Sequence, residues 1–251
     1  MRVICLVPSL TETLIECGIE VIGRTRFCIH PIRQVKGIPV VGGTKNVDWE
    51  KCKILKPDLV VFDREENPKE MADSCPFNWH ATHITSVDNI ADELIRLADK
   101  VESSQLLEMA IKLNELASKP NLKTIDWGNV PGQIESIGNN LNSYKRIEYI
   151  IWRDPWMAVS SDTFIGSMLE RLGFSDYLSN HTKPYPELST EDMNNPDTFY
   201  LFSSEPYPFA KHKDFLLNTD INGAIIDGEV YSWFGIRSYR ALNEYLTNIK
   251  I

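Results

Sequence analysis

Several aromatic residues lie in segments whose composition predicts loops, where a flat side chain can contact a ligand. Trp156 stands beside a proline and charged residues, and Trp233 and Phe234 follow a serine. Aromatic rings suit a flat ligand because they provide a large contact area at a small loss of rotamer entropy. A place in the core is the alternative, and it is the expected place for Trp152 and Phe202, which lie within predicted strands.

Arginines near these aromatic residues could hold an anionic group. Arg153 precedes Asp154, and Arg237 and Arg240 follow the second aromatic segment. A guanidinium donates paired hydrogen bonds to a carboxylate, so these residues would favour an acidic ligand. A local contact between Arg153 and Asp154 on a solvated loop is the alternative, and Arg240 faces solvent if the last helix starts at Ser238.

Histidines raise the possibility of a bare transition metal, because imidazole is the commonest metal ligand. The candidates are His30, His80 and His83, and Asp227 and Glu229 could complete such a site. His80 and His83 are three positions apart at a predicted loop-to-strand boundary, which is poor spacing for a shared metal. A surface or loop role is the alternative for each histidine.

Enzyme chemistry would need a titratable pair, for which the sequence offers Cys28 with His30 or Asp154 with Glu229. Cys28 also fits a packed thiol. Ser9 stands at a predicted helix start without the GxSxG pattern of a nucleophile elbow, so capping explains it. The sequence contains no P-loop, GxGxxG or HExxH motif. We therefore expect no cofactor and no catalysis.

The overall charge limits the classes of partner. The chain has 251 residues and a formal net charge of -9, with a pI near 5.1. Binding to phosphates relies on clustered Lys and Arg, so this balance excludes a general nucleic-acid partner. The length suits one large or two modest α/β domains.

The number and spacing of the cysteines indicate the cellular compartment of the protein. Five cysteines without CxxC spacing fall in the first third: Cys5, Cys17, Cys28, Cys52 and Cys75. This odd set favours reduced thiols in a cytoplasmic protein. The apolar run that stops at Pro8 is too short for a signal-peptide core, and no stretch approaches the roughly 20 apolar residues of a membrane span. We expect a cytoplasmic protein for the chain as written, or a periplasmic one if the true start lies upstream.

The first third alternates short apolar runs with helical patterns. The runs that predict strands are Arg2–Val7, Val21–Gly23, Ile38–Val41, Leu59–Phe62 and Thr82–Ile84. A capping box at Ser9–Glu12 starts the first helix, Gly18 ends it, and a further helix spans about Asp48 to Leu55. Such alternation predicts a parallel sheet.

Two helices and a polar junction follow. Apolar residues at helical spacing predict helices over Val87–Val101 and Ser104–Ser118, and Pro120 should end the second. From Asn121 to Ser143 the composition shifts to Asn, Gly and polar residues, which indicates a junction between domains. Within it, Val130–Leu141 is compatible with a helix.

The second half is also α/β. Its predicted strands are Ile147–Trp152, Phe199–Phe202 and Ala224–Ile226. Its predicted helices are Phe164–Leu172, which Gly173 caps, and Ser238–Ile249 at the end of the chain.

Several stretches, in this order, resemble the class III (helical-backbone) substrate-binding proteins for cobalamin, ferric siderophores and haem. They are Arg2–Thr13, Gly18–Gly23, the KPDLV segment in Leu55–Val61, Ile151–Met157, Asp162–Gly166 and Tyr231–Phe234. The stretches of the second half resemble the cobalamin-binding subgroup in particular. The resemblance covers most of the chain outside 121–143. It implies two Rossmann-like α/β lobes joined by a long backbone helix, with a ligand cleft between the lobes.

The same resemblance implies roles for single residues. Phe27 matches an aromatic residue that lies over the ligand, and Tyr185 matches one in the opposite lobe. The loops of Trp156, Trp233 and Phe234 correspond to segments that line the cleft, with Arg153 as the polar anchor. The paired carboxylates Glu50 and Glu191 match those that dock on a membrane permease.

From these observations we expect an N-terminal lobe over 1–100, a linking helix and junction over 101–145, and a C-terminal lobe over 146–251. The expected ligand is a small cobalt or iron chelate, cobalamin-like or siderophore-like ahead of haem. The expected protein is a monomer that works with an ABC permease. A cytosolic offshoot that binds a bare metal, and an enzyme on the same scaffold, are the alternatives.

Overall fold

The computed structural model describes residues 1–138 and 144–247, which fall into two compact units. The first unit contains Met1–Ser118 and also Trp233–Arg240, and the second contains Lys119–Ser232 and the chain from Ala241 onward. The predicted linking region, 101–145, is therefore divided, because its helix lies in the first unit and the rest in the second. Positions 139–143 of the predicted junction and 248–251 of the predicted last helix lie outside the described residues.

The first unit contains a five-stranded sheet in the order β3-β2-β1-β4-β5. Its strands are β1 (Arg2–Cys5), β2 (Glu20–Thr25), β3 (Val40–Gly42), β4 (Leu59–Asp63) and β5 (Trp79–Thr82). All four pairings are parallel. Every residue of β4 is buried, as expected for a parallel strand covered on both faces. The predicted parallel sheet is confirmed, although β5 lies earlier than the predicted Thr82–Ile84.

Six helices accompany this sheet. They are α1 (Pro8–Glu16), α2 (Ile32–Val35), α3 (Trp49–Leu55), α4 (Lys69–Asp73), α5 (Val87–Val101) and α6 (Ser104–Ala117). The capping box predicted at Ser9 is wrong: α1 begins one residue earlier and has no side-chain cap, because a proline in the first turn has no N–H to satisfy. A capping box is present instead at Ser86 and Asn89, before α5. Gly18 ends α1 with φ of +74°, as predicted.

The second unit contains a six-stranded mixed sheet in the order β6-β11-β10-β7-β8-β9. Its strands are β6 (Gln133–Ile137), β7 (Arg146–Trp152), β8 (Trp156–Val159), β9 (Glu187–Leu188), β10 (Thr198–Ser203) and β11 (Gly223–Ile226). The pairings among β7, β10 and β11 are parallel, and the other three pairings of the sheet are antiparallel. The helix considered over Val130–Leu141 is wrong, since β6 pairs with β11 there.

Shorter helices complete the second unit: α7 (Phe164–Leu169), α8 (Asp214–Leu217) and α9 (Gly228–Ser232). A π-helical turn (Glu170–Phe174) continues α7, and Gly173 interrupts it at φ of 99°, the position predicted for the cap. The last helix, α10 (Ile236–Thr247), begins two residues before its predicted start. Its residues through Arg240 belong to the first unit, and those from Ala241 belong to the second.

Candidate functional site

Phe27 lies in the first unit, in the turn after β2. Its side chain is 47% exposed, and the guanidinium of Arg26 lies 4.7 Å from its ring centroid. The Phe27 N–H donates to the Thr25 hydroxyl at 3.2 Å, which fixes the turn. An exposed ring with a cation beside it can contact a flat or anionic ligand.

Trp233 is part of the first unit even though it stands near the end of the sequence. Its ring meets that of His30 edge-on, with 5.6 Å between the centroids, and the Arg237 guanidinium lies 5.0 Å from its ring. Only 8% of Trp233 is exposed, and Phe234 is buried as well. Both rings lie in a loop, between α9 and α10, as predicted, and both pack into the first unit; their cleft-lining role stays a prediction.

A buried ion pair holds this segment in place. Glu12 of α1 accepts a hydrogen bond from Arg237 Nε at 2.6 Å, and Arg240 lies 3.6 Å from the same carboxylate. The backbone N–H of Ile236 donates to the Thr13 hydroxyl at 3.0 Å. Arg237, which the sequence offered as a ligand contact, is thus engaged by the fold. Its planar group still covers one face of the neighbouring tryptophan.

Arg153 and Trp156 lie together in the second unit. The Arg153 guanidinium is 3.8 Å from the Phe215 ring centroid and 5.8 Å from that of Trp156. Asp154 is the predicted local partner, and its carboxylate is 3.8 Å from Arg153 Nε. Trp156 stacks on Phe209 with 6.1 Å between centroids. The prediction that Trp156 lies in a loop is wrong, because it begins β8, and it is partly buried at the margin of the core.

Other aromatic residues of the second unit differ in exposure. Tyr185 is 49% exposed, in agreement with a surface that can meet a ligand. Phe202 is fully buried, as predicted. Trp152 was expected in the core but is 40% exposed at the end of β7, where its ring meets that of Tyr207 in a T-shaped contact.

The carboxylates expected to dock on a permease are both at the surface. Glu50 lies in the first turn of α3, is 80% exposed, and pairs with Lys53 at 2.6 Å. Glu191 is exposed just before a short 3-10 turn of the second unit. Both are therefore accessible to a partner, as their predicted role requires.

The histidines do not assemble a metal site. Within 1–138 and 144–247, no group of three or more His, Cys, Asp or Glu side chains could hold a metal ion. His83 pairs with Glu65 at 3.1 Å on the surface, whereas His80 Nε2 is buried without a hydrogen-bond partner. Burial lowers the pKa of His80. His30 instead packs on Trp233.

Cys28 is a packed thiol. It is fully buried and lies 3.1 Å from the hydroxyls of both Thr11 and Thr25. Burial raises its pKa, although the two threonines act in the opposite direction. A thiol with a raised pKa carries little thiolate at neutral pH, so this site disfavours the thiol-enzyme alternative. All five cysteines are free.

Two contacts near the candidate residues were missed by the sequence reasoning. Arg26 over Phe27 joins neighbours in the chain, and such a pair could have been noticed from adjacency alone. Phe215 beneath Arg153 is distant in sequence, and only the folded chain brings the two together.

The fold is similar to that of several solved structures. It is the fold of periplasmic binding proteins for vitamin B12, haem and iron, so the class III resemblance of the sequence is confirmed for the fold. No family model and no curated protein matches the sequence. None of the helices in the described ranges is both long and apolar enough to cross a membrane.

Three solved structures illustrate the likeness. The periplasmic vitamin B12 binding protein BtuF of Vibrio cholerae has a TM-score of 0.65 at 18% identity, covering 98% of this chain and 95% of that one. The periplasmic haem-binding protein BhuT, solved with two haems, has a TM-score of 0.71 at 19% identity, covering 97% and 95%. IsdE of S. aureus, complexed with haem, has a TM-score of 0.68 at 14% identity, covering 98% and 97%.

Proposed function

We propose that this protein is a substrate-binding protein that captures a metal chelate for ABC-type uptake and acts by binding, without catalysis. The proposal rests on a likeness in fold that spans nearly the full length of both chains, with proteins that bind vitamin B12 or haem. The ligand we favour is cobalamin-like or ferric-siderophore-like, ahead of haem. The bare-metal and enzyme alternatives are not supported by any specific contact among the described residues.

Exposure separates the proposed ligand residues into three groups. Phe27 and Tyr185 are each about half exposed and can give a ring face to a planar chelate. Trp156 and Arg153 have one side against the core and the other available. Trp233 and Phe234 are mostly buried, and we propose that they support the ligand-binding residues by packing.

The direct test is a binding titration. Purified protein is titrated calorimetrically with cyanocobalamin, haemin and a panel of ferric siderophores. We expect one ligand to bind saturably and to raise the melting temperature, because a ligand that binds only the folded state stabilises it. Truncating a residue that is a binding hot spot costs about 2 kcal/mol, so as proposed hot spots Phe27→Ala and Tyr185→Ala should each weaken binding about tenfold or more.

A matched control is available in the first unit. Trp79 is 46% exposed, close to the value for Phe27, and it lies on the edge strand β5. Trp79→Ala should leave the affinity unchanged. The proposal fails if no chelate binds, or if all three variants bind as tightly as the original protein.

The permease role is tested separately through Glu50 and Glu191. Charge reversal in Glu50→Lys and Glu191→Lys should abolish ligand-dependent stimulation of the cognate permease ATPase while ligand affinity stays constant. Glu170, an exposed glutamate of the second unit, provides the control Glu170→Lys. Normal stimulation by both reversed variants would remove the docking role and leave the capture role intact.

The proposed function bears on the compartment. The similar B12- and haem-binding proteins described above include periplasmic ones, which supports the periplasmic alternative over the cytoplasmic one. The five free cysteines support the cytoplasmic alternative. Fractionation of the source cells with an antibody against the protein decides between the two.

A further inference from the structure

The second unit contains a small polar pocket that the proposed function does not use. Its volume is about 220 Å³. Charged and hydroxyl side chains dominate its walls: Arg146, Glu148, His181, Glu187, Asp192 and Thr198. A pocket with so little apolar surface selects a ligand by charge and hydrogen bonding.

The sheet of the second unit fixes the floor of this pocket. Arg146 and Glu148 are two positions apart on β7, so their side chains point to the same face. Thr198 begins β10 and lies opposite Arg146 in the parallel register. Glu187 comes from β9, at the edge of the same sheet. These residues are therefore held by strands rather than by loops, which suits a defined site.

Glu148 is the residue that points most strongly to a ligand. Its side chain is only 8% exposed, and its Oε2 lies 2.9 Å from His181 Nε2. Within the described residues, Oε1 of the same carboxylate accepts no hydrogen bond. This oxygen keeps its capacity to accept hydrogen bonds, because an ionised carboxylate offers several lone-pair sites. The pocket thus offers a strong acceptor to a donor group such as an ammonium.

Arg146 supplies the opposite charge. In the described parts of the chain its guanidinium makes no hydrogen bond, although five N–H groups are available to it. It lies close enough to Asp192 to act on it: hydrogen bonds from Ser189 lower the pKa of Asp192, and the charge of Arg146 lowers it further. A guanidinium in this state is suited to receive a carboxylate.

We propose that this pocket binds a small zwitterion of the α-amino acid class, with its ammonium group on Glu148 and Glu187 and its carboxylate on Arg146. An anion alone would meet three carboxylates, and a cation alone would meet the guanidinium. A metal ion is disfavoured because no suitable set of ligands is present in 1–138 and 144–247.

The volume of the pocket limits the size of the amino acid that it can bind. One water occupies about 30 Å³ of liquid, so 220 Å³ corresponds to about seven non-hydrogen atoms. Glycine, alanine and serine are of this size, whereas lysine and the aromatic amino acids are too large.

The pocket is lined by none of the proposed chelate residues, although Leu188 of its wall pairs with Trp156 between β9 and β8. Glu148 is separated from Trp152 by four residues of β7, or about 13 Å along the strand, and Arg153 follows that far end. The amino-acid site thus goes beyond the proposed function, and either can fail without the other.

The test is calorimetric titration of the whole chain with L-serine, up to about 10 mM. Ethanolamine and 3-hydroxypropionate, which each lack one of the two charged groups, are titrated in parallel. We expect saturable binding of serine and at least tenfold weaker binding of both fragments. The proposal is overturned if serine, alanine and glycine do not bind, or if either fragment binds as well as serine.

Variants locate the binding. Arg146→Met and Glu148→Gln should each weaken serine binding at least tenfold, while Arg33→Met and Glu170→Gln, at exposed positions outside the pocket, should leave it unchanged. Arg146 is exposed and its side chain supports no hydrogen bond of the fold, so Arg146→Met decides the question even if Glu148→Gln fails to fold. Unchanged serine binding in Arg146→Met would place the amino acid elsewhere and overturn the proposal.

Discussion

The two units build their cores from different side chains. Around the first sheet the core is mainly aliphatic and contains thiols, as in Ile4, Leu6 and Cys52. Around the second sheet it is largely aromatic, with Tyr200, Phe202 and Phe209 fully or almost fully buried. Rings in contact with one another extend this core outward, and Trp156 at the start of β8 packs against it. An aromatic residue in the sequence therefore indicates a core position more often in the second unit than in the first.

The largest effect should come from truncating the centre of the aromatic core. Phe209 is fully buried and contacts the rings of Phe202, Tyr207 and Phe215. Phe209→Ala should lower the free energy of unfolding by about 4 kcal/mol, since it leaves a cavity that rigid rings cannot fill. Urea denaturation followed by circular dichroism measures this. A loss below about 1 kcal/mol would contradict the view that this ring organises the second unit.

The next effect concerns the ion pair that joins α1 to residues 233–240 in the first unit. Glu12→Gln leaves Arg237 facing a neutral amide and should cost about 3 kcal/mol, because breaking one side of a buried pair strands the other charge. Glu50→Gln removes an exposed pair and should change stability by less than about 0.5 kcal/mol. Equal effects of the two substitutions in urea denaturation would show that burial of this pair is unimportant.

A smaller effect is expected at His80. Its pKa is lowered by burial, so the folded state resists a proton that the unfolded chain accepts. The contribution of the neutral ring to the free energy of unfolding is therefore fully present above a pH of about 6.5. It decreases as the pH falls below that value.

Replacing His80 by leucine removes both this dependence and the unpaired nitrogen. His80→Leu should raise the free energy of unfolding by about 1 kcal/mol at pH 7, and by more at pH 5. The same change at the exposed His83 serves as the control. A variant that follows the pH dependence of the original protein would contradict this assignment.

Thiol labelling probes the first unit directly, and we expect it to have the smallest effect on the fold. Burial raises the pKa of Cys5 and of Cys52 to about 12 and that of Cys17 to about 11. Cys75 is only partly buried, so at pH 8 we expect a chromogenic disulfide to label it first. Cys75→Ser should remove the fast phase without changing the urea midpoint. Rapid labelling of several thiols in the native protein would show that the first core is open.

Strands that are buried on both faces could be predicted from the sequence. Leu59–Phe62 and Phe199–Phe202 form continuous apolar runs, which match β4 and β10 to within one residue. The helix at Val87–Val101 has the predicted bounds because its apolar spacing and its caps agree. Antiparallel edge strands such as β6 and β9 are short and half exposed, so they leave no comparable pattern.

The candidate site was predicted less fully than the fold. Phe27 and Tyr185 are exposed as their assigned roles require, but those assignments came from a family resemblance. Trp233 and Phe234 lie in the predicted loop but are buried, and the His30 ring that meets Trp233 edge-on lies more than 200 positions earlier in the chain. Contacts of that range depend on the completed fold, and no window of sequence contains them.

The bond between Glu12 and Arg237 joins residues 225 positions apart. Synthesis adds about 5 to 20 residues each second, so Glu12 waits roughly 10 to 45 s on the ribosome before its partner is made. During that time the nascent first unit lacks Trp233–Arg240, and most of the second unit is translated. The first unit is therefore completed only after residues 119–232 of the second unit have been translated, and a chain that stops before position 233 would leave the carboxylate of Glu12 uncompensated in α1.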